Sequence, residues 1–451
     1  MRFKNFVSIL LVMALIFSFS ACGSEKENGP VSSDVTSSVT SQPEESFAFT
    51  KDAEYLTLGK SVTLEVKGAS GEVKFETPDM SVLSVSGNTV TVTPKTTDEL
   101  TIKATSGSKA AICTVKAFEN KMVTIDAKSE LIKYHGRTEL LKNGRMQFAN
   151  TASGYEITFY GRMLVAEMNT STGMGDFCII TDNDWENAQT TNIRSAGSGG
   201  KVVIAKYNEP EFHTVKVLKT KEESLEILNL NSLKVVGGGF LKAETNYDLV
   251  IEAIGDSITC GYGNMRPNTD TDNKDLQNGL YTYAAITARN LNAEYRAICR
   301  SGIGLYTHPG TFRRVMKDAY DYISTESEVL YKADKAPDVV ILNLGTNDSW
   351  TGKEHDQYKK YERETFKAEY TAFIEKIVSK YGKDTLIVCC SGMMEMSIKN
   401  PIADVVADLS SKGYNVKEAN FSKTLKGHPP KSDHERYAEK LTKDIKTWLG
   451  K

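Results

Sequence analysis

The stretch IEAIGDSITCGYGN, residues 251–264, gives the main indication of the fold of the C-terminal half of the chain. It continues an apolar run that begins at Tyr247, ends at Gly255 and delivers Ser257 into a glycine-rich turn. A continuous apolar run closed by a turn is typical of a strand that is buried on both faces of a parallel sheet. The stretch therefore predicts a buried strand with a serine directly after its carboxyl end.

The sequence that follows this strand alternates apolar runs with helical patterns. The apolar runs are a stretch near 294–299, PDVVILNL at 337–344 and TLIVCC at 385–390. The helical or intervening segments lie near 279–292, 311–324, 354–380, 401–411 and 433–449. This alternation predicts an α/β/α domain over 246–451 with a parallel sheet covered on both faces. Ligands of such sheets bind at the carboxyl ends of the strands, so the chemistry is expected there.

Four residues at such positions have the types that acyl transfer requires. They are Ser257 in GDSIT, Gly302 in CRSGIGLY, Asn347 in GTND and His428 in GHPPKSDH. A serine hydroxyl is a weak nucleophile that needs an adjacent base, and imidazole suits that role near neutral pH. The tetrahedral intermediate carries an oxyanion that needs preorganised donors. The backbone N–H groups of Ser257 and Gly302 and the side-chain amide of Asn347 are the candidate donors, with Gly304 as a conformational glycine.

The order Ser, Gly, Asn, His with these local strings resembles the SGNH (GDSL-like) hydrolases. A narrower resemblance, to carbohydrate esterase family 2, extends over about 330 residues. It includes the string HGRTELLKNGRMQFANTASGYEITFYG, the string SGIGLY and a His-Pro pair before the last helix. This resemblance implies a jelly roll followed by an SGNH domain, and removal of O-acetyl groups from plant cell-wall polysaccharides such as xylan, mannan or glucomannan. It also implies Ser257 as nucleophile, His428 as base, and Gly302 with Asn347 in the oxyanion hole.

The sequence departs from the SGNH pattern at one position. Many members carry Asp three residues before the catalytic histidine, and Leu425 stands there in this chain. We therefore expect a Ser–His dyad in which a backbone carbonyl holds the imidazole of His428. A carbonyl fixes the tautomer but stabilises the imidazolium less than a carboxylate does. A more distant acid stays open as the alternative.

The segments before the catalytic domain predict an exported and anchored protein. A basic start and an apolar run over 1–22 read as a signal peptide, and Ala-Cys-Gly resembles a bacterial lipobox with Cys22 lipidated. The Ser- and Thr-rich residues 23–47 predict a flexible tether. Alternating strand patterns predict a β-sandwich that resembles a bacterial immunoglobulin-like domain over 48–119 and a jelly roll over 120–245. The expected location is the bacterial cell surface, with the membrane reached through the lipid.

Several further side chains flank the four motifs. Tyr306 and Trp350 follow the second and third motifs, so they are candidates to stack on a sugar ring, with core packing as the alternative. Asp256 and Asp348 are interpreted as turn-formers. His434 is expected in a surface or capping role rather than in catalysis.

The composition limits the classes of partner molecule that are expected. The 451 residues carry a formal net charge of −3, which argues against nucleic acid because phosphate binding needs excess Lys and Arg. No His, Asp or Glu cluster in the sequence has metal-ligand spacing, so a metal-free and cofactor-free mechanism is predicted. The remaining six cysteines lie in mostly apolar surroundings and are predicted to be buried free thiols. The expected partner is an acetylated polysaccharide or oligosaccharide, bound by a monomer.

Two other functions remain compatible with the sequence. The same machinery suits a peptidoglycan O-acetylesterase or a lipid esterase. A surface glycan-binding protein with a decayed esterase is the non-enzymatic alternative, although the intact Ser, Gly, Asn and His set speaks against decay.

Overall fold

The structure is a computed structural model that describes residues 46–194, 199–267, 273–309, 312–350, 361–424 and 427–451. The predicted signal peptide, Cys22 and nearly all of the predicted tether lie outside the described residues, as does Leu425. Every element described below belongs to one contact unit, Phe47–Lys451.

Residues 46–119 form two four-stranded sheets. The strands are β1 (Ala48–Phe49), β2 (Ala53–Thr57), β3 (Val62–Lys67), β4 (Lys74–Glu76), β5 (Leu83–Ser86), β6 (Thr89–Val92), β7 (Glu99–Ser106) and β8 (Lys109–Phe118), with a 3₁₀ turn at Met80–Val82. One sheet has the order β1-β3-β6-β5 and the other β2-β8-β7-β4. Alternate side chains of both sheets share one apolar core, which includes Val90, Ile102 and Val115. The period-2 pattern of the sequence therefore reflects burial of one face of each strand.

Residues 120–245 form a ten-stranded sheet. Its strands are β9 (Met122–Asp126), β10 (Lys133–His135), β11 (Thr138–Leu140), β12 (Met146–Phe148), β13 (Gly154–Thr170), β14 (Gly175–Thr181), β15 (Gln189–Ile193), β16 (Gly200–Lys219), β17 (Leu228–Val236) and β18 (Gly239–Leu241). The pairs are antiparallel along the path β11-β12-β17-β13-β16-β14-β15. The long strand β13 shifts register after Gly161 and after Leu164, which lets the sheet bend around its own core.

The C-terminal region contains a five-stranded parallel sheet, as predicted. Its strands are β19 (Leu249–Gly255), β20 (Ala293–Cys299), β21 (Val339–Asn343), β22 (Leu386–Ser391) and β23 (Val416–Asn420). The order is β20-β19-β21-β22-β23. Strand β19 lies between the two strands that follow it along the chain, so the connection order reverses at its carboxyl end. This is the place where open α/β sheets leave a crevice for ligands.

Helices cover both faces of this sheet. They are α1 (Ser257–Cys260), α2 (Tyr283–Asn290), α3 (Met316–Ala319), α4 (Thr346–Ser349), α5 (Arg363–Tyr381), α6 (Lys399–Ser411) and α7 (Lys431–Trp448), with 3₁₀ turns at Lys274–Leu276 and Gly279–Tyr281. Ile254 packs with α5 and α6 on one face, and its neighbour Ala253 packs with α2 and α7 on the other. The continuous apolar run of β19 is explained by this two-sided burial. In the described ranges, no helix is both long and apolar enough to cross a membrane.

Two predicted helices are shorter than expected. The pattern near 279–292 gives α2 only from Tyr283, because Thr282 caps it by accepting the N–H of Ala285 at 3.4 Å. The helix predicted near 311–324 is reduced to α3. Arg137 of the ten-stranded region donates to the carbonyl oxygens of Tyr320 and Tyr322, both at 2.7 Å, which holds the backbone after α3 in turns. This contact between distant segments overrides the local helical pattern.

Six described cysteines are buried with free thiols, namely Cys113, Cys178, Cys260, Cys299, Cys389 and Cys390.

Candidate active site

Ser257 begins helix α1 at the carboxyl end of β19 and is 7% exposed. Asp256 is the N-cap, and its Oδ1 accepts the N–H of Ile258 at 3.0 Å. Gly255 is required before it, since a Cβ there would lie 2.0 Å from Oγ1 of Thr259. The N–H of the first helical residue has no partner within its own helix, so the N–H of Ser257 is suited to an incoming oxygen.

His428 meets Ser257 although the two residues are 171 positions apart. Its Nε2 lies 2.7 Å from Oγ of Ser257, which is hydrogen-bond distance. The ring of Tyr262 packs on the imidazole with the ring centres 4.8 Å apart. The Arg266 guanidinium donates to the carbonyl oxygens of His428 and Gly263. The turn that follows the serine therefore also holds the histidine loop.

Gly302 lies in the turn after β20 with φ at +84°, a conformation that favours glycine. A Cβ at this position would lie 2.9 Å from the ring of Phe312. The carboxylate of Asp348 accepts the backbone N–H groups that follow this turn, those of Leu305, Tyr306 and Thr307, at 2.8, 3.0 and 3.1 Å. The loop that carries Gly302 is thus fixed by a residue of the third motif.

Asn347 places its amide between the first and second motifs. It lies in α4, which begins after Gly345, and it is 9% exposed. Its Nδ2 donates to the carbonyl oxygen of Ile303 at 2.9 Å and makes a longer contact of 3.5 Å with Oδ2 of Asp256. The amide is therefore oriented by the loop of Gly302 on one side and by the cap of Ser257 on the other.

The two aspartates of the motifs are buried among these turns. Burial raises the pKa of Asp256 to about 7, and the nearby charge of Asp348 adds to this rise. Burial also raises the pKa of Asp348 to about 6, against hydrogen bonds from four backbone N–H groups that lower it. The contact of Asp256 with the N–H of Ile258, two residues on, fits its interpretation as a turn-former. Asp348 instead binds N–H groups of a loop 41 to 43 positions earlier, so it connects two distant segments.

The two candidate sugar-stacking residues differ in position. Trp350 ends α4, is 53% exposed, and its Nε1 donates to Glu395 at 3.1 Å. Tyr306 is 7% exposed and belongs to the apolar core, and its hydroxyl accepts the N–H of Glu362 at 3.1 Å. This placement favours the packing alternative for Tyr306 and leaves Trp350 as the exposed aromatic residue.

His434 lies in the core rather than on the surface. It is 1% exposed, its Nδ1 accepts the N–H of Tyr283 at 3.1 Å, and the two rings stack. Burial lowers its pKa to about 3, so the ring is neutral and acts as an acceptor. The surface alternative was wrong. The capping alternative describes its contact, although the helix that it caps is α2 and not its own.

Sequence reasoning missed the positioning roles of Arg266 and Tyr262. Both follow the GDSIT motif within a few residues, but their contacts are to a loop more than 160 positions away. The sequence signals neither contact. The position of Asp348 directly after Asn347 was noticed, but nothing in the sequence indicates that its partners lie in the loop of Gly302.

Two known families match separate parts of the chain. Residues 253–440 match the GDSL-like Lipase/Acylhydrolase family. Residues 134–243 match the Carbohydrate esterase 2 N-terminal family.

Two curated relatives each match 72% of the chain. Cellulase/esterase CelE from Acetivibrio thermocellus is 29% identical in an alignment of 348 residues that covers 72% of this chain and 40% of that protein. Acetylxylan esterase / glucomannan deacetylase from Cellvibrio japonicus is 23% identical in an alignment of 334 residues that covers 72% of this chain and 90% of that protein. The chain therefore spans less than half the length of CelE.

A solved structure shows the same architecture. The family two carbohydrate esterase from Clostridium thermocellum, in complex with cellohexaose, is 30% identical, with a TM-score of 0.63. The match covers 71% of this chain and 99% of that chain.

Proposed function

The chain belongs to the family 2 carbohydrate esterases, and from this premise we propose that it removes O-acetyl groups from plant cell-wall polysaccharide. The observation that carries the proposal is the distance of 2.7 Å between Nε2 of His428 and Oγ of Ser257. A hydroxyl within reach of an imidazole, at the end of a buried strand, is the arrangement that an acyl-enzyme mechanism needs.

The first half of the reaction forms an acetyl-enzyme. Oγ of Ser257 attacks the acetyl carbon while Nε2 of His428 takes the hydroxyl proton. The negative charge moves to the carbonyl oxygen, and the N–H groups of Ser257 and Gly302 and the amide of Asn347 stabilise it. The same amide nitrogen donates to the carbonyl oxygen of Ile303 at 2.9 Å and makes only a long contact of 3.5 Å with Asp256, so its second N–H is the proposed donor to the oxyanion.

The tetrahedral intermediate then collapses, the bond from the acetyl carbon to the sugar oxygen breaks, and His428 gives its proton to that oxygen, which completes the acetyl-enzyme. The second half of the reaction releases acetate. Water attacks the acetyl carbon while His428 takes a proton from the water. The second tetrahedral intermediate collapses with cleavage of the bond to Oγ of Ser257, and His428 returns the proton to Oγ as acetate leaves. We propose that a backbone carbonyl, rather than an acid three residues before it, orients the imidazole.

The substrate class follows from the relatives and from one exposed aromatic residue. The relative from Cellvibrio japonicus bears the name acetylxylan esterase / glucomannan deacetylase, and the solved relative was captured with cellohexaose. Both names point to β-linked plant polysaccharide. The exposed indole of Trp350, next to the motif of Asn347, is the proposed stacking surface for a sugar ring.

The remaining organisation is part of the same proposal. An immunoglobulin-like β-sandwich over 48–119 and a jelly roll over 120–245 precede the catalytic domain of residues 246–451. A signal peptide over 1–22 directs export, and a lipid on Cys22 holds a monomeric enzyme at the cell surface, with 23–47 as its tether.

Acetate release tests this function. The parent protein is expected to release acetate from acetylated xylan, mannan or glucomannan, and faster than from O-acetylated peptidoglycan. Ser257→Ala is expected to lower the rate by at least 10⁴-fold, because the nucleophile is lost. Ser349→Ala is the matched control, since its hydroxyl donates within its own helix to Thr346 at 2.7 Å.

Full acetate release by the folded Ser257→Ala protein would show that this serine is not the nucleophile. Acetate release from O-acetylated peptidoglycan alone would show that peptidoglycan, and not plant polysaccharide, is the substrate.

A further inference from the structure

A loop of the ten-stranded region enters the catalytic domain beside the candidate active site. This loop, residues 220–227, connects β16 to β17, and we call it the 220–227 loop. It is docked by the N–H of Gly279, which donates to the carbonyl oxygen of Thr220 at 2.7 Å. Glu222 within it is 1% exposed, so its carboxylate is removed from water and needs partners.

The partners of Glu222 lie in the catalytic domain. Its Oε2 accepts the backbone N–H of Ser301 at 2.6 Å, and its Oε1 accepts the hydroxyl of the same serine at 2.5 Å. The thiol of Cys260 donates to Oε2 at 3.6 Å. Hydrogen bonds to a carboxylate are stronger than those between neutral groups, so this carboxylate holds its partners firmly.

Ser301 and Cys260 belong to the two segments whose relative position matters for catalysis. Ser301 directly precedes Gly302, the proposed oxyanion donor. Cys260 is the last residue of α1, the helix that begins with Ser257. Burial raises the pKa of the Cys260 thiol well above its usual range, so the thiol keeps its proton and remains a donor. One carboxylate therefore contacts both the helix of the nucleophile and the turn of the oxyanion hole.

We propose that Glu222 is a positioning residue for the esterase reaction, supplied to the catalytic domain by the ten-stranded region. It rests on the proposed function, because it assigns Glu222 a role in the same acyl transfer. Glu222 binds both the N–H and the hydroxyl of Ser301, so it fixes the Arg300–Ser301 peptide plane and restricts the torsions of Ser301. These torsions set the direction of the next peptide plane, which carries the N–H of Gly302. Displacement of a catalytic group by about 1 Å can cost about 100-fold in rate, so the effect belongs in kcat.

The test compares variants of Glu222 in the full chain. Glu222→Ala is expected to lower kcat on an aryl acetate at least tenfold with KM changed less than twofold, because substrate binding is untouched. Glu222→Gln is expected to be at least fivefold more active than Glu222→Ala. Its amide can still accept the N–H of Ser301 and donate to that serine's hydroxyl. Glu222→Asp withdraws the carboxylate by one methylene and is expected to have a kcat as low as that of Glu222→Ala. It takes the place of Glu222→Ala in the test if the alanine variant does not fold.

Glu223→Ala is the matched control. This neighbour in the same loop also reaches the catalytic domain, where it accepts from the hydroxyls of Ser324 and Thr325 at 2.5 and 2.9 Å. Its truncation is expected to lower the unfolding temperature and to leave kcat within twofold. Equal losses of kcat in Glu223→Ala and Glu222→Ala would overturn the proposal, as would a folded Glu222→Asp or Glu222→Ala with the parent kcat. A parent protein without activity on any acetyl ester would instead overturn the proposed function.

Discussion

At the scale of single residues, Asn347 is the proposed side-chain donor of the oxyanion hole. Its amide is held by the carbonyl of Ile303 and lies beside the cap of Ser257. A preorganised donor in a water-poor site stabilises the transition state more than the bound ester, because the charge develops only during the reaction.

Replacement of this donor gives the first residue-scale prediction. Asn347→Ala is expected to lower kcat by about 10²- to 10³-fold while KM changes little, because one oxyanion donor is lost. Steady-state kinetics on an aryl acetate measure both constants, and thermal unfolding shows whether the variant is folded. A folded variant with a raised KM and the parent kcat would place Asn347 in substrate binding instead.

The gathering of the motif residues at one edge of the sheet could be predicted from the sequence. The contacts that hold these residues in place could not. Ser257, Gly302 and Asn347 each follow a strand of a parallel sheet, so their gathering at one edge follows from the strand pattern alone. Arg266 and the 220–227 loop act through contacts between distant segments, for which one sequence carries no periodic signal. The buried Glu222 looks like an ordinary loop residue in a run of charged side chains.

At the scale of elements, the strands were predicted more accurately than the short helices. Strand β19 is buried on both faces, with Ala253 and Ile254 in apolar cores, so its local pattern and its environment agree. Its buried Glu252 is paired with Arg137. Helix α3 is cut short because Arg137 and Asn150 of the preceding region bind the carbonyl groups of residues 320–323. The side chains responsible lie more than 170 positions earlier in the sequence.

The junction of α7 with α2 gives an element-scale prediction for pH dependence. Burial lowers the pKa of His434 to about 3, against an ordinary value of 6.5. A base with a lowered folded-state pKa stabilises the fold above pH 6.5, and this contribution is lost as the pH falls toward 3. Replacement by Asn keeps an acceptor for the N–H of Tyr283 but removes the titration.

In the His434→Asn variant, the free energy of unfolding is therefore expected to decrease less as the pH falls below 6.5. Between pH 6.5 and about pH 4.5 the parent should lose about 2 kcal/mol more unfolding free energy than the variant. Urea unfolding at both pH values measures this difference, and groups such as Asp256 and Asp348 contribute equally to both proteins. Equal losses in the two proteins would mean that His434 takes up a proton in the folded state.

At the scale of the whole molecule, the recognition of the family from short motifs is confirmed by the comparisons. The division between β-rich regions and a parallel sheet followed from the change of hydrophobic period near residue 246. The docking of the regions on each other did not follow, because it depends on individual contacts. One example is the stacking of Tyr55 on Phe212 with ring centres 4.2 Å apart.

The contribution of the two four-stranded sheets of residues 46–119 to activity can be predicted from where the site residues lie. Every side chain placed in or beside the site belongs to residues 222–434, so a chain that begins at residue 120 is expected to keep kcat/KM on a soluble aryl acetate within about threefold. Its unfolding temperature should fall, since Phe118 no longer covers Tyr160. Loss of activity in a folded truncated chain would contradict this division of labour.

We propose that Ser257, activated by His428, carries the acyl group in a polysaccharide acetylesterase. The decisive experiment is titration with a fluorophosphonate, followed by peptide mass spectrometry and by acetate release from acetylated glucomannan. One phosphonyl group is expected on the peptide that contains Ser257, with acetate release falling in proportion to labelling. The His428→Ala protein is expected to react with the label far more slowly. Full acetate release by protein labelled at Ser257, or inactivation through label on another residue, would show that Ser257 is not the nucleophile.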